Sequence, residues 1–463
     1  MSLACGVYAY IALMFTIFLI VAVIRKGPSS LVLTPSLLGG AFFAFIHGVM
    51  PAMQVNVNFY RYDSFYTANT QLLSAIIVTC GGVAYFAAMN YFYKPQFDGI
   101  SFGVLTPTGT RNYMVISLLT FAVAVYCSQQ NIRLILSMGI EAYLRDRIAL
   151  GFGRGFTVIL SHWTYVSCLL FFIGIYITQP RSFARTLCRL LFLVALSYTF
   201  LYYTLNSNRN SLFILLVNLV SMWFLFNRDM FGPVNVRQLS RLARPALGIA
   251  AVGMVLFFVG QLRHGRGDVN EDYSMTEFFN GAFGNHENVL WLLSNDYDVQ
   301  MGTTYLAGLT NFVPRAIWAD KPTGAGPVLK NMIMPGSYVV GDENNSSYTT
   351  GLFPEIMMNS GSYLFIPICI VAGILVGVLF NVLGKRHQTF CFILVFAQVS
   401  FSSQLLYAEF LGFFGRFVFS LIPFIGVALF VRIPFIDPAV VMHDEPGRPA
   451  ENPFYSERLK RSV

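Results

Sequence analysis

Charged side chains are scarce in this sequence. Asp, Glu, Lys and Arg make up 11% of the 463 residues and hydrophobic residues make up 56%, whereas a typical soluble domain is about a quarter charged. This composition excludes an ordinary soluble protein. It predicts a chain that spans a membrane and contacts membrane lipids.

Closely spaced cysteines are also lacking. None of the seven cysteines is in CxxC spacing, and none lies in the longest polar segment, so the sequence predicts neither a disulfide framework nor a cysteine metal site. The N-terminus lacks the basic residues and the small-residue cleavage site of a signal peptide. We therefore expect the first apolar stretch to remain as a membrane span.

The sequence contains instead eleven apolar stretches that include no Asp, Glu, Lys or Arg. They are Ala4–Ile24, Leu31–Val55, Thr70–Tyr93, Tyr113–Ser128, Thr157–Thr178, Leu190–Leu205, Ser211–Phe226, Ala246–Gln261, Ser362–Leu383, Gln388–Gln404 and Phe417–Val431. The strands of a membrane β-barrel would show alternating apolar and polar residues, which these stretches do not. Backbone groups in lipid must therefore form their hydrogen bonds within a helix. The stretches predict an all-α polytopic membrane protein with about 11 (10–12) transmembrane helices. The two short stretches around Asn206–Asn210 are also compatible with a re-entrant hairpin.

The basic residues indicate the orientation of these spans. Loops that follow odd-numbered stretches, together with the C-terminal tail, hold 18 of the 30 Lys and Arg residues. Short basic loops stay in the cytoplasm, so this distribution predicts an outside N-terminus and an inside C-terminus. The net charge of +8 then reflects membrane topology, and we expect no nucleic-acid partner.

Four regions follow from this topology. They are residues 1–261 with eight spans and an arginine-rich outer loop at 129–156, a large outer loop at 262–361, three further spans at 362–431, and a cytoplasmic tail at 432–463. The large outer loop is too long for a simple connector, and Trp291, Trp318 and its apolar runs argue against disorder. Within it we expect a short helix that begins at Glu287 and a turn over Thr349–Glu355 that leads into the ninth span.

Twelve basic residues remain on the predicted outer side, and ten of them are arginines. Because an arginine fork binds phosphate or carboxylate in a bidentate manner, this set indicates a site for an anionic ligand. Arg145, Arg147 and Arg154 lie beside the glycines 151, 153 and 155, which allow a ligand close to the backbone. The alternative is an interfacial helix whose arginines contact lipid headgroups.

Two further arginines lie between apolar stretches. Arg209 belongs to the polar segment Asn206–Asn210, and Arg416 follows Glu409 in the last outer connection, just before the final span. Charges at such depth are functional candidates unless they are paired. A structural pair between Glu409 and Arg416 is the alternative.

The large outer loop holds the candidates for acid–base chemistry. His286, Glu287 or Glu355 is placed to act as a general base, and Arg263, Arg266, Arg315 and Lys321 are candidates to stabilise a departing pyrophosphate. Each has a structural alternative, and Glu355 in particular is suited to a helix N-terminus. The segment Asp296-Tyr297-Asp298 matches the DxD pattern of metal-dependent transferases, but so short a match is weak evidence, and a solvated turn is the favoured interpretation. We predict no metal and no cofactor.

Several of these segments resemble one membrane enzyme family. They are Glu287-Asn288, Phe312–Trp318 with Lys321-Pro322, and Thr350–Glu355 with Asn359 and Gly361, and they are similar to the long outer loop of the O-antigen and enterobacterial-common-antigen polymerases, the Wzy-type oligosaccharide repeat unit polymerases. The break at Asn208–Asn210 and the stretch Arg145–Gly155 resemble two arginine-bearing segments of that family. The similarity covers roughly residues 129–416.

The resemblance implies a C-type glycosyltransferase of the bacterial inner membrane, with its active site facing the periplasm. One undecaprenyl-pyrophosphate-linked oligosaccharide is the donor, and a hydroxyl of a second lipid-linked repeat unit attacks its anomeric carbon to build an O-antigen, capsule or exopolysaccharide. On this view Arg145, Arg147, Arg209, Arg263, Arg315 and Arg416 form a pyrophosphate clamp, and Glu287 or His286 is the base. The residues Arg154 and Lys321 are further pyrophosphate-binding candidates. A chain-length regulator is an expected partner.

The family is usually described with both termini in the cytoplasm, whereas the charge distribution here predicts an outside N-terminus. Two other functions stay open. A ligase that transfers a finished glycan to another acceptor would leave nearly the same sequence features. A flippase or transporter is less favoured, because the predicted spans contain no Asp, Glu, Lys or Arg and the chain shows no internal repeat.

Overall fold

The computed structural model of the chain is built almost entirely from helices. It describes residues 3–62, 66–94, 101–151, 155–206, 208–227, 234, 240–241, 254, 275–315, 317–342, 347–384, 387–431, 433 and 435–436. Within these residues the only strands are β1 (Ser101–Phe102) and β2 (Phe435–Ile436), which form one antiparallel pair.

The first half of the chain contributes ten helices. They are α1 (Leu3–Lys26), α2 (Ser29–Leu33), α3 (Pro35–Ala44), α4 (Met50–Val57), α5 (Ala68–Phe92), α6 (Pro107–Gly151), α7 (Gly155–Ser161), α8 (Trp163–Ile177), α9 (Phe183–Leu205) and α10 (Arg209–Phe226). A π-helical turn, Phe45–Val49, joins α3 to α4. It precedes Pro51, which has no amide hydrogen to donate to the preceding turn.

The second half contributes eight further described helices. They are α11 (Met275–Phe283), α12 (His286–Ser294), α13 (Thr303–Leu309), α14 (Ala325–Ile333), α15 (Leu352–Gly384), α16 (His387–Val399), α17 (Leu405–Tyr407) and α18 (Phe410–Phe430). A second π-helical turn, Ser400–Gln404, joins α16 to α17.

Eight helical segments of the described chain are long and apolar enough to cross a membrane, which identifies a multi-pass membrane protein. They are Ala4–Lys26, Pro35–Val57, Ala68–Phe92, Pro107–Gly139, Gly155–Ile177, Phe183–Leu205, Leu352–Gly384 and Phe410–Phe430. Two shorter apolar helices, Asn210–Phe226 and Cys391–Tyr407, match the seventh and tenth predicted stretches. Of the eighth stretch, Ala246–Gln261, only Met254 is described, so the count of eleven stays a prediction.

The bundle has two distinguishable ends. At one end, which we call the loop end, described residues between Met275 and Tyr348 lie beside the starts of α15 and α18, since Thr304 contacts Glu355 and Gly326 contacts Glu409. At the opposite end, the rings of Phe102, Phe226 and Phe392 are in mutual contact, with centroids 5.0–5.9 Å apart. Both α5 and α15 run from the loop end to the opposite end.

Close packing of α5 against α15 forms the centre of the bundle. A β-carbon at Gly373 would lie 2.3 Å from the Tyr85 carbonyl oxygen, and one at Gly377 would lie 2.7 Å from the Met89 carbonyl oxygen. Only glycine allows two helix backbones to approach so closely, and small residues serve this purpose in membrane helices generally.

Several predicted boundaries were wrong because helices continue through polar residues. The expected loop at 129–156 is largely helical, since α6 extends to Gly151 with one break at Gly139, whose φ is +83°. The final helix begins at Phe410 rather than Phe417, which places Arg416 inside a helix and not in a connection. A polar side chain ends an apolar run in the sequence, but it does not end a helix.

The described part of the large outer loop is ordered as a series of short helices. The helix expected from Glu287 is confirmed as α12. The expected turn before the ninth span is shorter than predicted, because α15 already begins at Leu352 after Gly351, whose φ is +83°. This helix breaks at Gly361, directly before the predicted start of the span at Ser362.

Candidate functional site

His286, at the start of α12, is fully buried and both of its ring nitrogens are engaged. Its Nδ1 lies 3.0 Å from Nδ1 of His47, in the π-helical turn after α3. Its Nε2 lies 3.1 Å from the hydroxyls of Tyr8 and Ser74, on α1 and α5. Burial lowers the pKa of His286 to about 3, so the ring is neutral at ordinary pH. These contacts tie the loop helix α12 to three membrane helices.

Glu287 is also fully buried, and both of its carboxylate oxygens accept backbone hydrogen bonds. Oε1 accepts from the amide of Tyr62 at 2.9 Å, and Oε2 accepts from the amide of Arg61 at 2.8 Å. The guanidinium of Arg61 donates to the carbonyl oxygen of Asn280. Glu287 thus fixes the chain segment that leads into α5 against α11 and α12.

Glu355 lies in the first turn of α15, yet it stabilises the start of a different helix. Oε2 accepts from the backbone amide of Phe410, the first residue of α18, at 2.7 Å. Oε1 accepts from the hydroxyl of Thr304 on α13 at 2.8 Å. The predicted suitability of Glu355 for a helix N-terminus is therefore realised at α18.

Arg416 differs from these acidic residues because it lacks partners. It is half-buried in α18, and within the described chain it forms no hydrogen bond and no ion pair. Glu409 is not its partner, since Oε2 of Glu409 accepts from the amide of Gly326 at 2.6 Å. The structural pair that the sequence left open between Glu409 and Arg416 is therefore absent.

Polar side chains of three other elements surround Arg416. His162, Tyr165, Tyr203 and Tyr407 all lie within electrostatic range of its guanidinium. We call these four residues and Arg416 the Arg416 site. His162 Nδ1 lies 2.9 Å from the Tyr203 hydroxyl.

One hydroxyl of the Arg416 site is buried without a partner. The hydroxyl of Tyr407 has no hydrogen bond within the described residues, and the same holds for the buried hydroxyl of Ser211 in the first turn of α10. A buried polar atom costs free energy unless a hydrogen bond satisfies it. The Tyr407 hydroxyl, beside Arg416, is therefore a group that a bound anion would satisfy.

Arg315 and Lys321 lie in a loop that packs on the same helix as Arg416. The ring of Phe312, in this loop, contacts Phe414 and Phe419 of α18 with centroids 6.2 and 5.6 Å apart. Arg315 donates to the carbonyl oxygen of Ala319 at 3.0 Å.

Lys321 closes the same loop by donating to the carbonyl oxygens of Asn311 and Val313 at 3.4 and 3.0 Å. Its pKa is lowered, first by burial and then by the charge of Arg315. Two of the predicted pyrophosphate ligands, Arg315 and Lys321, are thus neighbours at the loop end.

A single chain segment, Gln404–Arg416, connects the acid–base candidates to the Arg416 site. The carbonyl oxygen of Tyr407 accepts from the side-chain amide of Asn285, which directly precedes His286, at 2.7 Å. Phe410 carries the amide held by Glu355. Asn285, which precedes His286, and Glu355 therefore both contact the segment Tyr407–Phe410, and Arg416 follows in the second turn of α18.

The other predicted cations are described only in part. Arg209 is the first residue of α10, at the loop end, and Asn208 accepts from the amide of Ser211 at 3.3 Å to cap that helix. Arg145 and Arg147 lie on the helical continuation of α6. The side chains of these three arginines, and the whole of Arg154, Arg263 and Arg266, lie outside the described part of the structure.

Asp296 and Asp298 are exposed, in the irregular segment after α12. Among the described residues no three His, Cys, Asp or Glu side chains are grouped to hold a metal ion.

Sequence reasoning missed Glu409 as a chemical candidate, and it missed His162 and Tyr407. A signal for Glu409 was available, because it is an acidic residue seven positions before Arg416 in a largely apolar part of the sequence. His162 and Tyr407 lie within or beside apolar runs, where nothing distinguishes them from core residues.

Comparison with known proteins adds no assignment to this geometry. No family model, no curated protein and no solved structure matches the chain.

Proposed function

We propose that this protein is a membrane glycosyltransferase that joins undecaprenyl-pyrophosphate-linked oligosaccharide repeat units into a surface polysaccharide. The chain would then lie in the bacterial inner membrane with the loop end facing the periplasm. Two things support this function, the resemblance to the Wzy-type polymerases and the properties of the Arg416 site.

The observation that carries the proposal is that Arg416 lies in a largely apolar helix and forms no hydrogen bond or ion pair with the described residues. A cation at membrane depth is costly, and it normally faces a partner or a polar cavity. Here its neighbours are neutral side chains, one of which, Tyr407, has a buried hydroxyl without a partner among the described residues. A pyrophosphate at the head of a polyprenyl lipid supplies the missing negative charge, and its lipid tail suits a site that lies between membrane helices.

The chemistry expected of this site is stabilisation of a leaving group. As the bond between the anomeric carbon and the pyrophosphate oxygen breaks, negative charge grows on the pyrophosphate. Arg416 within the bundle and Arg315 above it would stabilise that charge through bidentate hydrogen bonds. Such stabilisation requires neither a nucleotide sugar nor a metal cofactor.

The test is to incubate purified protein with a synthetic undecaprenyl-pyrophosphate-linked repeat unit. A polymerase produces a ladder of products that differ by one repeat unit. A ligase produces transfer only when a separate acceptor is added, and a flippase produces no covalent product. The absence of any glycosyl transfer under all conditions contradicts the proposal.

A further inference from the structure

Glu409, at the start of α18, is a carboxylate with one held oxygen and one available oxygen. Oε2 accepts from the amide of Gly326, in the first turn of α14, at 2.6 Å. Oε1 has no hydrogen bond among the described residues, and it is not among their buried unpartnered atoms. The side chain as a whole is half-buried. Glu409 is therefore oriented by the protein and still accessible on one side.

The surroundings of Glu409 are built to receive a carboxylate. A β-carbon at Gly324 would lie 2.9 Å from Oε2, and one at Gly326 would lie 3.1 Å from it. Glycine at both positions allows the α14 backbone to approach the carboxylate directly. A larger residue at either position would displace the Glu409 side chain.

Glu409 also has a defined relation to the two cations of the candidate site. It directly precedes the first residue of α18 and has extended backbone angles, and Arg416 lies within α18 seven residues further along the chain. On the other side, Glu409 and Arg315 both lie within electrostatic range of the Tyr338 hydroxyl. The carboxylate thus lies near the loop end of α18, with one cation deeper in the bundle and one in the loop.

The three bases proposed from sequence lack this accessibility. Glu287 and Glu355 are buried, with both oxygens of each accepting hydrogen bonds. His286 is buried with both ring nitrogens engaged. None of them presents a free acceptor atom to a substrate, whereas Glu409 does.

We propose that Glu409 is the general base of the transfer reaction and accepts the proton of the attacking sugar hydroxyl. This inference rests on the proposed function. The acceptor oxygen forms a bond to the anomeric carbon of the donor as its proton passes to Oε1 of Glu409. The bond from the anomeric carbon to the pyrophosphate oxygen breaks, and its electron pair leaves with the polyprenyl pyrophosphate.

The ionisation of Glu409 suits this role. Burial raises the pKa of its carboxyl group, while the hydrogen bond from Gly326 opposes the rise. A carboxylate with a raised pKa is a stronger base, and catalysis is most efficient when the pKa of the base approaches the working pH.

The decisive experiment compares Glu409→Gln with the wild type in two measurements on the purified full-length protein. The first is the rate of ladder formation from the lipid-linked repeat unit. The second is the binding of undecaprenyl pyrophosphate, the released product. We expect the rate to fall by about 100-fold or more, the usual contribution of a general base, while the Kd changes by less than about twofold. Gln retains an oxygen that accepts from Gly326, so folding is preserved.

Asp298→Asn is the matched control, because it removes the same charge from an exposed position in the segment after α12. Its rate and Kd are expected to equal those of the wild type. A Glu409→Gln variant with an unchanged rate overturns the base assignment, as does one whose rate loss is fully accounted for by weaker binding or by a lower Tm. A wild-type protein that binds the lipid but never transfers sugar overturns the proposed function instead.

Discussion

The start of α12 and the Arg416 site both contain polar side chains inside a membrane bundle, but the hydrogen bonding of these side chains differs. In the first region, His286 and Glu287 have every acid–base atom in contact with another group of the chain. In the second, Arg416 has no hydrogen bond among the described residues and the Tyr407 hydroxyl is buried without one. His286 and Glu287 are thus satisfied by the chain, whereas Arg416 and the Tyr407 hydroxyl are groups that a ligand would satisfy.

Replacement of Arg416 tests the functional side of this comparison most strongly. Arg416→Ala is expected to lower the rate of ladder formation by about 1000-fold, the upper range for loss of one charge-stabilising donor. The protein should remain folded, because no carboxylate in the described chain loses a partner. Ladder formation and Tm in detergent measure the two effects.

Arg189→Ala is the control for this experiment, since Arg189 is an exposed arginine on α9, far along that helix from its loop end. It should leave both quantities unchanged. Full activity of Arg416→Ala would show that Arg416 takes no part in the reaction. A large fall in Tm would show that Arg416 stabilises the fold.

Replacement of Glu287 tests the structural side. Glu287→Ala removes the acceptors of two backbone amides, those of Arg61 and Tyr62. Each unsatisfied buried group costs about 1–3 kcal/mol, so we expect the free energy of unfolding to fall by about 2–6 kcal/mol. Denaturation in detergent, with Asp298→Ala as the exposed control, measures the change. A variant with wild-type stability and no activity would contradict the structural role of Glu287 and favour a catalytic one.

The pH dependence of stability is the smallest expected effect. The pKa of His286 is about 3 in the folded protein and about 6.5 when unfolded. Between these values the unfolded chain binds a proton that the folded chain excludes, so stability falls as pH falls through this window. The slope expected for this one group is about 1.4 kcal/mol per pH unit.

Measurement of Tm for wild type and His286→Gln at pH 7, 5.5 and 4 isolates this contribution. The raised pKa of Glu409 acts in the opposite direction, because protonation in the folded state is then favoured at low pH, but it is common to both proteins. The wild type should lose more stability than His286→Gln on acidification. Parallel curves for the two proteins would contradict the assignment of a neutral, structural His286.

The membrane spans were predictable because a long apolar run without charge is rare outside a membrane-spanning helix. Helix ends were less predictable, since α9 begins at Phe183, before Arg185 and Arg189, and α18 begins before Arg416. The length of the apolar run sets which residues lie in lipid. It does not set where the backbone hydrogen bonds end.

The candidate site was predictable by residue type and not by contact. An arginine beside apolar stretches was identified from sequence, but Arg416 lies within α18 and not in the predicted connection before it. The partner of a buried carboxylate was not predictable, because Glu355 accepts from Phe410 and Glu287 accepts from Tyr62, residues distant in the sequence. Local patterns carry no information on such long-range pairs.

The glycine-mediated packing of α5 on α15 has a consequence for how the protein is made. About 260 residues separate the end of α5 from the start of α15, and at about 5–20 residues per second their synthesis takes roughly 13–52 s. During that interval α5 can enter the bilayer, because it is long and apolar enough to span it. The surface of α5 around Gly81, which packs on α15 in the folded protein, is then still uncovered. The central contact of the mature bundle is therefore among the last to form, and a ribosome stalled before Leu352 would leave α5 as an orphan helix for membrane quality control.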